Sequence, residues 1–330
     1  HWAGFPFESI LSCLGENNLT LSDVDVIAIN SNPKANLRQK LGFSLSSFSG
    51  ASEAYSRLKV AGKNKSIEDY LADYFGKEDF SGKIQHIEHH HAHLASAHCV
   101  SPYDESITIS VDGAGDFVST TWGVGRKNII DIEGRIFFPH SLGIFYEAMT
   151  HFLGFKHYGD EYKVMGLAPL GKPVYVSEVG KLIKLQDDGS FELNLDYFAH
   201  QNGTVKHTWE GGVPIADDCF GPAMSELLGP PRIEGDELRQ RHKDIAYSVQ
   251  KVYENAFFNL INAIHDKYKV DQLTLSGGCA MNSVANGKIY RRSPFKKVYI
   301  PPSAGDAGGA IGAALVAAGE LNEFDNNFHM

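Results

Sequence analysis

The chain has 330 residues, 43% of them hydrophobic and 21% charged, which excludes intrinsic disorder and leaves enough apolar material for one or two cores. A formal net charge of -10 argues against a general nucleic-acid-binding surface, whose footprint is basic, and favours a small or neutral substrate. Four cysteines, at 13, 99, 219 and 279, are too scattered for paired metal clips and too few for a disulfide framework, so they read as free thiols of a reducing compartment.

In chain order, helix and strand signals alternate. Residues 5–14 (FPFESILSCL) read as a helix, VDVIAIN at 24–30 as a short strand closed by the turn-like SNP, and 66–75 as a second helix. A strand-like KIQHIEH then leads into the histidine-rich HHHAHLASA at 89–97. ITISVDGAGD (107–116), FVSTTWGVGR (117–126) and NIIDIEG (128–134) form three β segments separated by glycine turns, a meander that commonly opens an α/β domain, and a subdomain boundary falls near residue 103. A helix is expected at 143–154, followed at 187–232 by a stretch rich in Gly, Pro, Asp and Asn that reads as an irregular insertion. Ile245, Val249, Val252, Ala256, Leu260 and Ala263 recur at helical spacing and predict a long amphipathic helix over about 238–266. LTLSGGCAMNSVANGKI (273–289) and KVYIPPSAGDAGGAIGAALVAAG (297–319) share the layout strand, glycine turn, helix.

Chemistry-bearing residues fall in these turns and in the histidine stretch. Histidines four apart lie one turn above each other, so His89 and His93 can aim two imidazole nitrogens at a common point, which His90 and His91 cannot join from that face. LSGG at 275–278 either opens backbone N–H groups to a phosphate or is only a tight strand-to-helix turn. In DGAGD (112–116), Asp112 or Asp116 either ligates a cation or closes the turn on its own backbone, and Asp306 of SAGDAGGAIGA either joins such a site or N-caps its helix. Strand ends of open α/β folds converge on one crevice. There a His-x-x-x-His helix and two aspartates would offer two nitrogens and two oxygens, a set suited to iron, zinc or another divalent first-row metal in a Lewis-acid or ligand-orienting role.

Six segments in this order, EHHHAHLASA, SVDGAGD, SLGIFYEAMTHFLGF, GDEYKVMGLAPLGKP, LSGGCAMNSVANGKI and PPSAGDAGGAIGAAL, resemble the O-carbamoyltransferase family typified by nodulation protein U and tobramycin carbamoyltransferase. The resemblance runs over nearly the whole chain. H-x-x-A-H-L is shared more widely, with the tRNA threonylcarbamoyladenosine-forming proteins and the hydrogenase-maturation carbamoyltransferase, whereas GDEYKVMGLAP and GGCAMNSVANGKI are the more discriminating matches and point to the O-carbamoyltransferases. The resemblance implies a metal held by His89, His93, Asp112 and Asp306, assigned in the family as Fe2+, beside a carbamoyladenylate whose carbamoyl group passes to a hydroxyl of a small-molecule acceptor. It matches Gly277, Gly278 and Asn282 to the nucleotide-contacting turn. It makes Glu161 and Lys163 pocket candidates, the alternative being a surface ion pair on a loop. The implied fold is α/β of the actin-like ATPase type, two ribonuclease-H-like subdomains around a cleft, here 1–103 and 104–330. Asp116, beside Asp112 without being an expected ligand, is the candidate general base.

Family members carry further strands before the F-P match and a second domain that forms the adenylate from carbamoyl phosphate and ATP. A chain running from HWAGFP to GELNEFDNNFHM is therefore expected to be truncated at both ends and inactive in the overall reaction. No cationic apolar leader and no apolar run near the ~20 residues of a membrane span are present, so the expectation is a soluble cytoplasmic protein with no membrane partner, and a homodimer is an option. Competing readings are a tRNA threonylcarbamoyladenosine-type transferase, a kinase or ATPase of the same superfold, and a non-enzymatic metal- or nucleotide-binding module. Kinases and ATPases bind Mg2+ through carboxylates and have no need of paired histidines.

Overall fold

The apolar run Val26–Ile29 (β1) pairs in parallel with Lys83–His86 (β2), and the chain leaves β2 almost directly into a helix over His89–His98, the histidine helix. The meander follows as Glu105–Gly115 (β3), Val118–Arg126 (β4) and Ile129–Phe137 (β5), antiparallel throughout. Hairpins come next, Ile183–Leu185 (β6) with Phe191–Leu193 (β7) and His207–Glu210 (β8) with Val213–Ala216 (β9). Gln272–Ser276 (β10) and Lys297–Tyr299 (β11) then join β3 in parallel, completing a mixed five-stranded sheet of order β11-β10-β3-β4-β5. The computed structural model describes residues 5–46, 66–76, 80–202, 207–210 and 213–321.

Strand β3 is the centre of the sheet and is buried on both faces, for two different reasons. Ile107, Ile109 and Val111 face the main apolar core, built with the helix Leu142–Phe152 and the long helix Gln240–Tyr268. The alternate residues Ser106, Thr108 and Ser110 face the histidine helix. Residues four apart on a helix are spaced ~6 Å and residues two apart on a strand ~6.6 Å, so the two ladders run in step. Thus His90 lies 3.0 Å from Ser110 Oγ, Thr108 donates to the Leu94 carbonyl at 3.3 Å, and His98 lies 2.7 Å from Ser106 Oγ. Small hydroxyl residues on this strand face let a helix approach closely and satisfy its buried imidazoles.

The helix Gly309–Glu320 lies alongside the histidine helix, and helices therefore cover both faces of the sheet, which makes the chain an α/β protein. The long helix buries Ile245, Val249, Val252, Ala256 and Leu260, as its spacing predicts, and ends at Lys269 in the left-handed region, φ 56°. The 187–232 stretch carries more order than its composition suggests. It supplies β7, β8, β9 and the helix Pro222–Leu228, and it sends Phe191, Leu193, Phe198, Met224 and Leu228 into the main core. Residues 203–206 and 211–212 of that stretch lie outside the described ones. Among the described residues, no helix is long and apolar enough to cross a membrane.

Candidate metal centre

Four side chains from three parts of the sequence meet at one point. His89 and His93 come from the first turns of the histidine helix, whose N-terminus is capped by Glu88 accepting from the His91 N–H at 2.8 Å. Asp112 comes from β3 where the ladder with β4 shifts register between Val111 and Gly115, a bulge that turns the aspartate out of the sheet. Asp306 opens a short 3-10 turn ahead of the helix Gly309–Glu320 and makes no capping bond, so the capping alternative for this residue is not what the structure displays.

The spacing suits a single ion. The two Nε2 atoms are 3.1 Å apart, Asp112 Oδ2 lies 3.2 and 3.4 Å from them, and Asp306 Oδ1 lies 3.5 and 3.4 Å from them. Donors about 2.1 Å from a tetrahedral ion stand about 3.4 Å from one another. His89 Nδ1 is 3.2 Å from the Asn30 carbonyl, to which it must donate, so the Nε2 lone pair is the one presented inward. Two inward imidazole nitrogens at this separation repel unless a proton or a cation lies between them.

The electrostatics make the same demand. Burial pulls the basicity of His89 down, but hydrogen bonds to Asp112 and Asp306 outweigh it and hold the group at about 10; His93 is raised for the same reasons. Burial pushes Asp112 up, yet the His89 and His93 hydrogen bonds keep it well below the usual carboxylate range. The same two histidines hold Asp306 at about 2. Two carboxylates this close to the same pair of nitrogens, one of them buried, require positive charge, which protons on the histidines or a divalent cation can supply, and a bound cation displaces those protons.

Comparison with known proteins decides which family this geometry serves. The sequence profile described as "Carbamoyltransferase N-terminus" matches residues 1–315. The chain belongs to the carbamoyltransferase N-terminal family. It is 38% identical over 326 residues to an uncharacterized protein of Synechocystis, covering 96% of this chain and 51% of that one. It is 30% identical over 334 residues to nodulation protein NolNO of Sinorhizobium fredii, covering 98% and 43%. The chain thus spans about half the length of the curated relatives it matches. Among solved structures it aligns with HypF of T. kodakarensis at 15% identity and a TM-score of 0.37, over 77% of this chain and 39% of that one.

Around the four converging side chains of this family member, several expected contacts are spent internally. The Gly278 N–H donates to Asp112 Oδ1 at 2.8 Å and the Gly277 N–H to the Ala304 carbonyl at 2.8 Å, so the glycine amides of the LSGG turn hold Asp112 and the loop before Asp306 instead of facing a phosphate. Gly277 sits at φ 85°, and a Cβ there would run into the Val111 carbonyl. Asn282 is buried, exchanges bonds of 3.1 Å with Gln250 in both directions, and caps the next helical turn by accepting from the Ala285 N–H. Gln250 also accepts from Tyr146 and donates to the buried Glu254, which Lys288 and Arg292 neutralise at 2.5 and 2.9 Å.

Asp116, expected as general base, has both oxygens engaged. Oδ2 accepts from the N–H groups of His89 at 2.9 Å and Asn32 at 2.7 Å, and Oδ1 from Ser31 Oγ at 3.2 Å. It braces the start of the histidine helix against the loop after β1, a position where a carboxylate also meets the favourable end of the helix dipole. Glu161 and Lys163 do not pair with each other and do not lie on a loop. Both belong to the helix Glu161–Leu167, Lys163 pairs with Asp160 at 2.7 Å and lies over the Phe155 ring, and half-buried Glu161 is raised by burial. Sequence reasoning passed over Asn30, whose carbonyl orients His89, and Ser141, which donates to the Asp112 carbonyl at 2.9 Å. The one signal was their position, Asn30 directly after a strand and Ser141 opening a helix.

His90 has a separate part. Its Nε2–H donates to the Val118 carbonyl at 2.9 Å and its Nδ1 accepts from Ser110, so the ring is neutral, and burial holds it down at about 3. As pH falls from about 6.5 to about 3, the unfolded chain takes a proton here that the folded chain refuses. This contribution is fully present above about 6.5 and is lost on acidification, by up to about 4–5 kcal/mol. Urea midpoints measured across that window should fall more steeply for the wild type than for His90→Gln; equal slopes would refute the assignment.

Proposed function

We propose that this chain transfers a carbamoyl group from carbamoyladenylate to a hydroxyl of a small-molecule acceptor, at a centre for one divalent metal, with Fe2+ preferred. The observation that carries the reading is the convergence of two imidazole nitrogens 3.1 Å apart with one oxygen of each of two carboxylates 3.2 to 3.5 Å from both, in a member of a carbamoyltransferase family. When bound, the metal supplies Lewis-acid polarisation of an oxygen of the carbamoyl donor. His89 and His93 hold it from one helix face, and Asp112 and Asp306 complete the set. Asp112 is kept in place by the Gly278 N–H, while Asp116 and Asn30 fix the helix start and the ring of His89. In the transfer, the acceptor hydroxyl oxygen forms a bond to the carbamoyl carbon as its proton passes to solvent, the bond from that carbon to the phosphate oxygen breaks, and AMP departs. Carbamoyl phosphate and ATP are the proposed source of the adenylate.

The strand order supports a ribonuclease-H-like unit over 104–330, because an antiparallel meander continued by two parallel strands is the sheet such a unit needs. With the parallel pair β1 and β2 in a second unit before residue 103, the arrangement proposed is the actin-like one. The test supplies carbamoyladenylate with a panel of hydroxylated acceptors and follows AMP and the carbamate ester by chromatography. Acceptor-dependent AMP release, reduced at least ~100-fold in His89→Ala and Asp306→Ala, is expected. Release that ignores both the acceptor and these substitutions would overturn the reading.

A further inference from the structure

A second cluster of ligand-type side chains lies in the main core. Glu147 and His151 sit one turn apart on the helix Leu142–Phe152, and Cys219 reaches them from the segment after β9. Each offers one ligand atom, and the three atoms lie within 4.8 Å of one another. His151 is 5% exposed and Cys219 3%. We propose that Glu147, His151 and Cys219 form a second metal site, for Zn2+, that clasps the helix Leu142–Phe152 to the 187–232 stretch.

The donor set selects the ion. One carboxylate oxygen, one imidazole nitrogen and one thiolate suit borderline Zn2+, whereas Mg2+ and Ca2+ take oxygen alone and the first centre contains no sulfur. Tetrahedral zinc spaces such atoms about 3.3–3.8 Å apart, so closing the cluster from within 4.8 Å asks each pair to move by ~1.5 Å or less. Burying an acid and a thiol together is costly unless something satisfies them. Burial, with Glu161 nearby, pushes Glu147 up to about 7, and burial with Glu147 as neighbour pushes the Cys219 thiol far up. Zinc binding balances as Zn2+ plus neutral His151, ionised Glu147 and the Cys219 thiol giving a complex with no net charge and one proton released to solvent. Three protein ligands leave one position for water.

Cobalt tests this independently of the transfer reaction. The chelator-stripped protein titrated with Co2+ should bind two equivalents and develop a thiolate-to-cobalt charge-transfer band that added Zn2+ bleaches. Cys219→Ser should lose the band and one equivalent with an unchanged circular dichroism spectrum. Asp306→Ala should keep the band and lose the other equivalent. Should Cys219→Ser not fold, Glu147→Gln carries the test, with Co2+ affinity read at the band falling at least roughly tenfold. A wild type without the band, a band surviving in Cys219→Ser, or an unchanged affinity in Glu147→Gln overturns the site.

Discussion

Asp112→Asn is expected to lower affinity for the divalent metal by at least ~100-fold, equivalent to about 3 kcal/mol, while leaving the fold intact. Asp112 uses both oxygens: Oδ2 faces the two histidine Nε2 atoms at 3.2 and 3.4 Å, and Oδ1 takes the Gly278 N–H. The amide can keep the second bond through its oxygen, so the turn stays where it is. What it cannot keep is the negative charge in a pocket where that side chain is 12% exposed. His89 and His93 then lose the partner that raises them, and the amide NH2 would point at the ion. Asp306, with 44% of its side chain exposed, is better solvated, and Asp306→Asn should cost less than Asp112→Asn. Metal content after dialysis, with histidine titration by NMR, reads both. Wild-type metal retention in Asp112→Asn would sink the assignment of this residue as a ligand.

Gly312→Val is expected to destabilise the protein by about 3 kcal/mol and to weaken the metal centre with it. The helix Gly309–Glu320 touches the histidine helix backbone to backbone. A Cβ on Gly312 would run into the Ala92 carbonyl and stand 2.8 Å from the Ser96 nitrogen, neither of which can swing aside. The helices must part, and with them Asp306 from the histidine pair. Gly319, in the same helix, has nothing within 4 Å of an added Cβ, so Gly319→Ala should be neutral or stabilising by up to ~1 kcal/mol. Thermal unfolding of the two variants makes the comparison. Equal losses would show that glycine chemistry in the helix, not the close approach, sets the cost.

This seam explains why SAGDAGGAIGAAL is so rich in small residues, a feature that composition alone left unexplained. The same holds for Ser106, Thr108 and Ser110. Their alternation on β3 reads as a half-polar strand, yet both faces are buried, and the polar face exists to meet a helix. DGAGD presents two aspartates in one turn, and the bulge after Val111 is what sends Asp112 to the histidines and leaves Asp116 to brace the helix start. The LSGG turn reads either as a phosphate cradle, which needs free N–H groups at a helix start, or as a tight strand-to-helix turn. Its Gly278 amide goes instead to Asp112, a strand away.

Local rules were sufficient where one element contains the whole pattern. The pairing of His89 with His93, the burial stripe of the long helix and the strand segments of the meander follow from 3.6-residue and two-residue periods that any stretch of backbone imposes on its own side chains. Tertiary structure alone decided how Asp112, Asp116, Asp306, Gly278 and Asn282 are used. A donor or carboxylate in a turn has several chemically equivalent partners, and which one it meets depends on the packing of elements far apart in sequence.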